Sequence, residues 1–194
     1  METSANNTPA VLNKRRAAIR SIVECGLFAA IIAVLTLVTI PMPSGVPITL
    51  QTFAVALCGY SLGFRNGTIA TAVYVALGAV GLPVFSGMKG GVSVLAGATG
   101  GYIYGFLFMA ALCGLGLMLS KKAGKLGIVV AIALGIAGLL VCHLLGTIQF
   151  SALTGRGFLE AALIASVPYL VKDIISVIAA YVLGMVIAKR VLKK

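Results

Sequence analysis

Negative charge is scarce in this chain. Four acidic residues stand against 15 lysines and arginines in 194 positions, with one histidine and no tryptophan. Charged residues of both signs make up 10% of the sequence, where a soluble domain carries about 25%. A folded chain of this length still exposes much of its surface. With 60% of its residues hydrophobic, that surface must meet lipid, which excludes a soluble enzyme, a nucleic-acid binder and a disordered tail protein. The net charge of +11 is distributed between apolar runs and reads as membrane topology, with no nucleic-acid partner. Four acids also leave little for catalysis. There is no carboxylate pair, no Ser-His-Asp set, no Walker lysine motif and no metal cluster, so neither an enzyme nor a cofactor is expected. No ring of polar side chains recurs along a helix, which argues against a channel. His143 has no second ligand at metal spacing and reads as hydrogen-bonded packing. Cys25, Cys58, Cys113 and Cys142 each lie in an apolar run without a C-x-x-C pair and read as buried small hydrophobes. The basic stretch before the first apolar run lacks a small-residue cleavage site after that run, so no cleavable signal peptide is expected.

What is present is a series of long uncharged runs. Between Cys25 and Met88 the only charge is Arg65, and residues 90–120 and 126–155 carry none. A spanning helix needs about 20 apolar residues. The run from 25 to 64 is too long for one span, and Pro41, Pro43, Ser44, Gly45 and Pro47 supply its break. The pattern predicts an all-α membrane protein of six helices, at about 18–40, 48–64, 67–81, 99–120, 126–150 and 159–189. Residues 1–17 form a polar, basic tail and 18–194 a single transmembrane domain. The Gly-rich linker at 82–98 must fold against protein or line a cavity, because bare irregular backbone is not tolerated in lipid. With both ends on one side, 12 basic residues fall inside and two, Lys89 and Arg156, outside, which predicts cytoplasmic termini.

Several polar groups need a reason. Lys172 and Asp173 interrupt the last helix, about 25 Å above Lys189, towards the outer side. An ionisable pair in a span is a functional candidate; the alternative is an interfacial pair snorkelling to water. The two point about 100° apart and need not bind each other. Lys89, among Gly87, Gly90 and Gly91, is suited to meet a carboxylate, or else is a solvated loop lysine. Gln51 and Thr52 occupy the outer turn of the second helix, while Thr99 and Tyr102 open the fourth. Ala29 and Ala33 form a small-residue face on the first helix.

Two stretches, PSGVPITLQTFAVALCGYSLGFRNG and VYVALGAVGLPVFSGMKGGVSVLAGATGGYIYGF, resemble the BioY family. Its members are the biotin-binding S components of energy-coupling factor (ECF) transporters. The similarity runs from residue 29 to 186. It implies a six-helix bundle in a prokaryotic plasma membrane, with a vitamin pocket near the outer face. It also implies a transmembrane coupling protein and two cytoplasmic ABC-type ATPases as partners. Ala29 and Ala33 match the Ala-x-x-x-Ala face by which the family meets the coupling protein. The family's last-helix pattern, P-F-x-x-G-D-x-x-K, is matched at Pro168, Tyr169 and Asp173. Lys172 stands where glycine is usual and Ser176 where lysine is usual, so the usual lysine's role does not carry over. If the substrate is biotin, Asp173 and Gln51 suit its ureido group, and Lys89 first and Lys172 second suit its carboxylate. Phe53, Phe85, Tyr102 and Tyr169 then suit its apolar body. The alternatives are an S component for another vitamin or, from a different class, a small membrane enzyme or channel.

Overall fold

The computed structural model describes residues 8–43 and 45–192; residues 1–7 of the expected tail, Ser44, Lys193 and Lys194 lie outside the described residues. The first helix, α1, runs Thr8–Leu37. It starts ten residues before the expected boundary because Lys14, Arg15, Arg16 and the alanines beside them are good helix formers. The helix also stops short of Ile40. Val38, Thr39 and Ile40 are β-branched, and Thr39–Ile40 (β1) pairs antiparallel with Ile48–Thr49 (β2) across the proline turn. Residue 48, expected to open the second helix, therefore belongs to this short ladder.

The next helix, α2, runs Gln51–Ala79 and doubles back at Gly63, where φ is +83° and ψ −179°. Straight helix over the 23 residues from Gln51 to Tyr74 would span about 35 Å. Instead the Gln51 amide Nε2 lies 2.8 Å from the Tyr74 hydroxyl, and the Cys58 thiol lies 3.5 Å from the Gly67 carbonyl. The two arms are thus antiparallel and correspond to the second and third expected helices. Only glycine adopts the Gly63 conformation without strain.

A short α3 (Val92–Leu95) lies within the 82–98 linker. The long helices α4 (Gly100–Ser120) and α5 (Gly127–Thr154) then pack antiparallel. They approach closely: a Cβ at Gly105 would run into Cys142, and one at Gly116 would press on Ala131. The expected last helix is split into α6 (Phe158–Ala165) and α7 (Val167–Val186), followed by a π-helical turn at Ile187–Val191. Proline at 168 has no N–H for the Ile164 carbonyl, and the chain breaks at Ser166 with φ −129° and ψ −54°. The break exposes polar backbone inside the bundle. Tyr102 satisfies it, its hydroxyl lying 2.6 Å from the Ala165 carbonyl and 2.9 Å from Ser166 Oγ, which also meets Thr147 at 2.8 Å.

Counting the two arms of α2 separately and α6–α7 as one broken helix gives the six expected passes. Among the described residues, four helical stretches are long and apolar enough by themselves to cross a membrane: Val11–Leu37, Gly100–Ser120, Gly124–Thr154 and Val167–Val191. Basic residues collect at one end of the bundle. There Arg20 bonds both Glu24 and the Leu192 carbonyl, and Cys25 meets the Asn66 carbonyl beside Arg65. Small-residue packing on α1 faces inward: Ala29 is 2% exposed and Ala33 packs half-buried against the core. The two residues expected to face a partner thus differ: Ala29 is shut in the chain's own core, while Ala33 keeps part of its surface. On those turns the exposed residues are Gly26, Leu27 and Ala30.

Candidate functional site

A cavity opens at the end of the bundle away from the basic cluster. Its floor and walls come from the start of α2, the nearer halves of α4, α5 and α7, and the β1–β2 hairpin. The 82–98 linker forms its roof, contributing Phe85, Ser86, Lys89 and Val94. The roof is anchored at both ends. On one side Phe85 seats its ring against Gly78, edge-on to Tyr74 at 5.7 Å, and the Tyr74 hydroxyl lies 3.1 Å from the Val84 carbonyl. Phe85 and Lys89 also pair through their backbones. On the other side Gln149 donates both amide hydrogens, to Leu95 at 2.8 Å and Gly97 at 2.7 Å.

The chemistry concentrates on one wall. Asp173, 4% exposed, is held by three donors. Thr52 donates to its Oδ1 at 2.5 Å, Lys172 Nζ ion-pairs with the same oxygen, and His143 Nε2 lies 3.1 Å from Oδ2. Lys172 also donates to the Thr49 carbonyl at 2.9 Å and to Thr52 at 3.3 Å. A buried carboxylate is tolerated on these terms, with a countercharge and hydrogen bonds together. Lys172 and Asp173 are neighbours in sequence yet do bind each other, because the Lys172 stem is long enough to fold back over the helix.

Of the eight substrate-contact candidates, seven line this one cavity: Lys89, Asp173, Lys172, Gln51, Tyr102, Phe85 and Tyr169. Their polar atoms are unequally committed. Tyr169 gives its hydroxyl to the Val46 carbonyl at 2.5 Å, and Tyr102 gives its own to the helix break, so each presents its ring to the cavity. Gln51 spends amide hydrogen on Tyr74. Lys89 is exposed and makes no side-chain hydrogen bond or ion pair among the described residues. The eighth candidate, Phe53, is elsewhere. It lines a lateral groove with Leu50, Pro168, Val171 and Ile175, on a different face of α2 from its neighbour Thr52.

Sequence reasoning set His143 aside as packing, and the structure puts it in the cavity wall against Asp173. The signal was its chemistry: an imidazole inside an apolar span needs a polar partner. No sequence spacing links His143 to Asp173, which is 30 residues away on another helix. Among the described residues no cluster of three metal-ligating side chains occurs.

Fold and site together define a class: a polytopic membrane protein with a cavity at one end of its helix bundle, roofed by a loop. The chain belongs to the BioY family, whose pattern matches residues 6–193. It is 38% identical over 170 residues to the biotin transporter BioY of Thermotoga maritima, covering 88% of this chain and 96% of that one. It is 35% identical over 175 residues to the biotin transporter BioY of Rhizobium etli, covering 85% and 91%. Its fold matches a crystal structure of the S-component for biotin from an ECF-type ABC transporter with a TM-score of 0.81. That match has 27% identity and covers 90% of this chain and 94% of the other.

Proposed function

We propose that this protein captures biotin at the outer face of a prokaryotic plasma membrane, as the S component of an ECF-type transporter. The observation that carries the reading is the division of charge in the cavity. Lys172 is neutralised within the chain by Asp173, while Lys89 on the roof is a cation without a partner among the described residues. Such a site favours a ligand with one carboxylate. Lys89 takes that carboxylate as a mobile point charge. The Asp173 wall accepts from the ureido end, with Gln51 nearby, and Phe85, Tyr102 and Tyr169 enclose the thiophane ring and valeryl chain. Lys172 acts through Asp173, and Phe53 has no contact with the ligand in this reading.

Closure of the 82–98 roof over biotin precedes transport. The chain has no nucleotide-binding motif of its own, so a transmembrane coupling protein and two cytoplasmic ATPases supply the energy for reorientation and release. The strong bias of basic residues to the end opposite the cavity supports cytoplasmic termini and an outward-facing pocket. Binding of radiolabelled biotin to the purified protein tests the reading. Saturable binding displaced by unlabelled biotin is the expected result. Displacement by a different vitamin at far lower concentration than by biotin would identify another substrate, and no saturable binding would overturn the proposal.

A further inference from the structure

Among the described residues His143 has one side-chain hydrogen bond, between Nε2 and Asp173, and its Nδ1 is buried with no partner. Its ring stands edge-on to Tyr102 at 5.7 Å, and Cys142 precedes it in the same wall. Three protonation states are open to an imidazole. A bare Nε2 would set a lone pair against the carboxylate at 3.1 Å, which is repulsive. A doubly protonated ring would bury both a charge and an unpartnered N–H, beside the Lys172 ammonium. The remaining state, neutral with the proton on Nε2, donates to Asp173 and leaves only an acceptor unpaired.

That assignment bears on how many hydrogen bonds Asp173 has left. A carboxylate offers about four acceptor positions. Thr52 and Lys172 fill those of Oδ1, and His143 fills one on Oδ2. We propose that His143 is a positioning residue of the pocket: locked in the Nε2–H tautomer, it orients Asp173 and leaves that carboxylate one open acceptor. This wall therefore takes a single ligand N–H and repels a carbonyl or carboxylate. The proposal rests on the biotin reading for the identity of that N–H, which becomes one of the two ureido N–H groups. The ligand's carboxylate is thereby directed to Lys89.

Two measurements test it, one of them independent of ligand. His143 is the only histidine in the chain, so imidazole ¹⁵N NMR of protein purified without a histidine tag reads it directly. At neutral pH the spectrum should show a protonated Nε2 and a bare Nδ1, and Asp173→Asn should unlock the tautomer. A protonated Nδ1 would overturn the assignment. Biotin affinity is the second measurement. His143→Leu should weaken binding roughly 10- to 100-fold, the loss of about one charge-assisted hydrogen bond, and equally for biotin and its methyl ester. His143→Gln, which restores an N–H near the Nε2 position, should recover most of that. The double variant His143→Leu with Asp173→Asn should bind no worse than Asp173→Asn alone, because one residue acts through the other. Additive losses, or no rescue by glutamine in a folded protein, would overturn the positioning role. If the wild-type protein binds no biotin, it is the functional reading that fails, and the NMR spectrum alone decides the tautomer.

Discussion

Two side chains in the cavity carry opposite charges and have opposite commitments. Lys89 is exposed and has no partner among the described residues, whereas Asp173 is buried under three donors. Their substitutions should therefore separate. Lys89→Ala should weaken binding of biotin by roughly tenfold or more while leaving the methyl ester nearly untouched, since a charge-assisted contact is worth about 1.5–3 kcal/mol. Asp173→Asn should weaken acid and ester alike, and titration calorimetry in detergent with both ligands measures the split. The aspartate variant carries a second expectation. Removing its charge leaves Lys172 without its buried counterion, so thermal stability should fall too, read as an earlier unfolding midpoint in the same detergent. Lys172 and Asp173 were legible as a pair needing explanation, because charge inside a span always does. Their mutual contact, and the contributions of Thr52 and His143, depend on three different helices meeting and leave no local trace in sequence.

At the scale of elements, the boundaries that sequence misplaces are those set by packing. The split of the last helix at Ser166 follows from Pro168, but the stability of the split rests on Tyr102 and Thr147, which come from α4 and α5. The hairpin within α2 is the clearer case. Its turn was expected between the helices at 48–64 and 67–81, and it falls earlier, at Gly63, where the positive φ resides. A Cβ there would meet nothing within 4 Å, so Gly63→Ala should destabilise through backbone strain alone, by about 1–3 kcal/mol. Gly67→Ala differs in kind, because its Cβ would meet the Gly59 backbone of the opposite arm at 2.9 Å. Ala29 offers a parallel test on α1. Being 2% exposed, Ala29→Leu should overpack the chain's own core and cost about 1–3 kcal/mol. A lowered unfolding midpoint that is absent in Ala30→Leu, on the exposed face, is the expected outcome.

The whole molecule has two unlike ends, and this polarity was the most legible feature of the sequence. Basic residues mark one end by their number, while Lys89 and the glycines about it mark the other. Orientation in the membrane can be read with Lys89→Cys and a membrane-impermeant thiol reagent. Cys25, Cys58, Cys113 and Cys142 are all buried, so the introduced thiol should label alone, and from outside the cell. Labelling only from the cytoplasmic side would reverse the topology. What the sequence could not supply is the electrical state of the cavity. Lys172 and Asp173 cancel, a neutral His143 adds nothing, and Lys89 leaves a single positive charge. Occupied by a singly charged anion, the cavity sums to zero. A charge carried through the full membrane field costs or gains about 2.3 kcal/mol per 100 mV, and the loaded site carries none. In the proposed assignment, then, the groups of the occupied site add no net charge for the resting voltage of the cell to act on. In the same assignment it is the empty site, with Lys89 uncovered, whose own charge the field would act on.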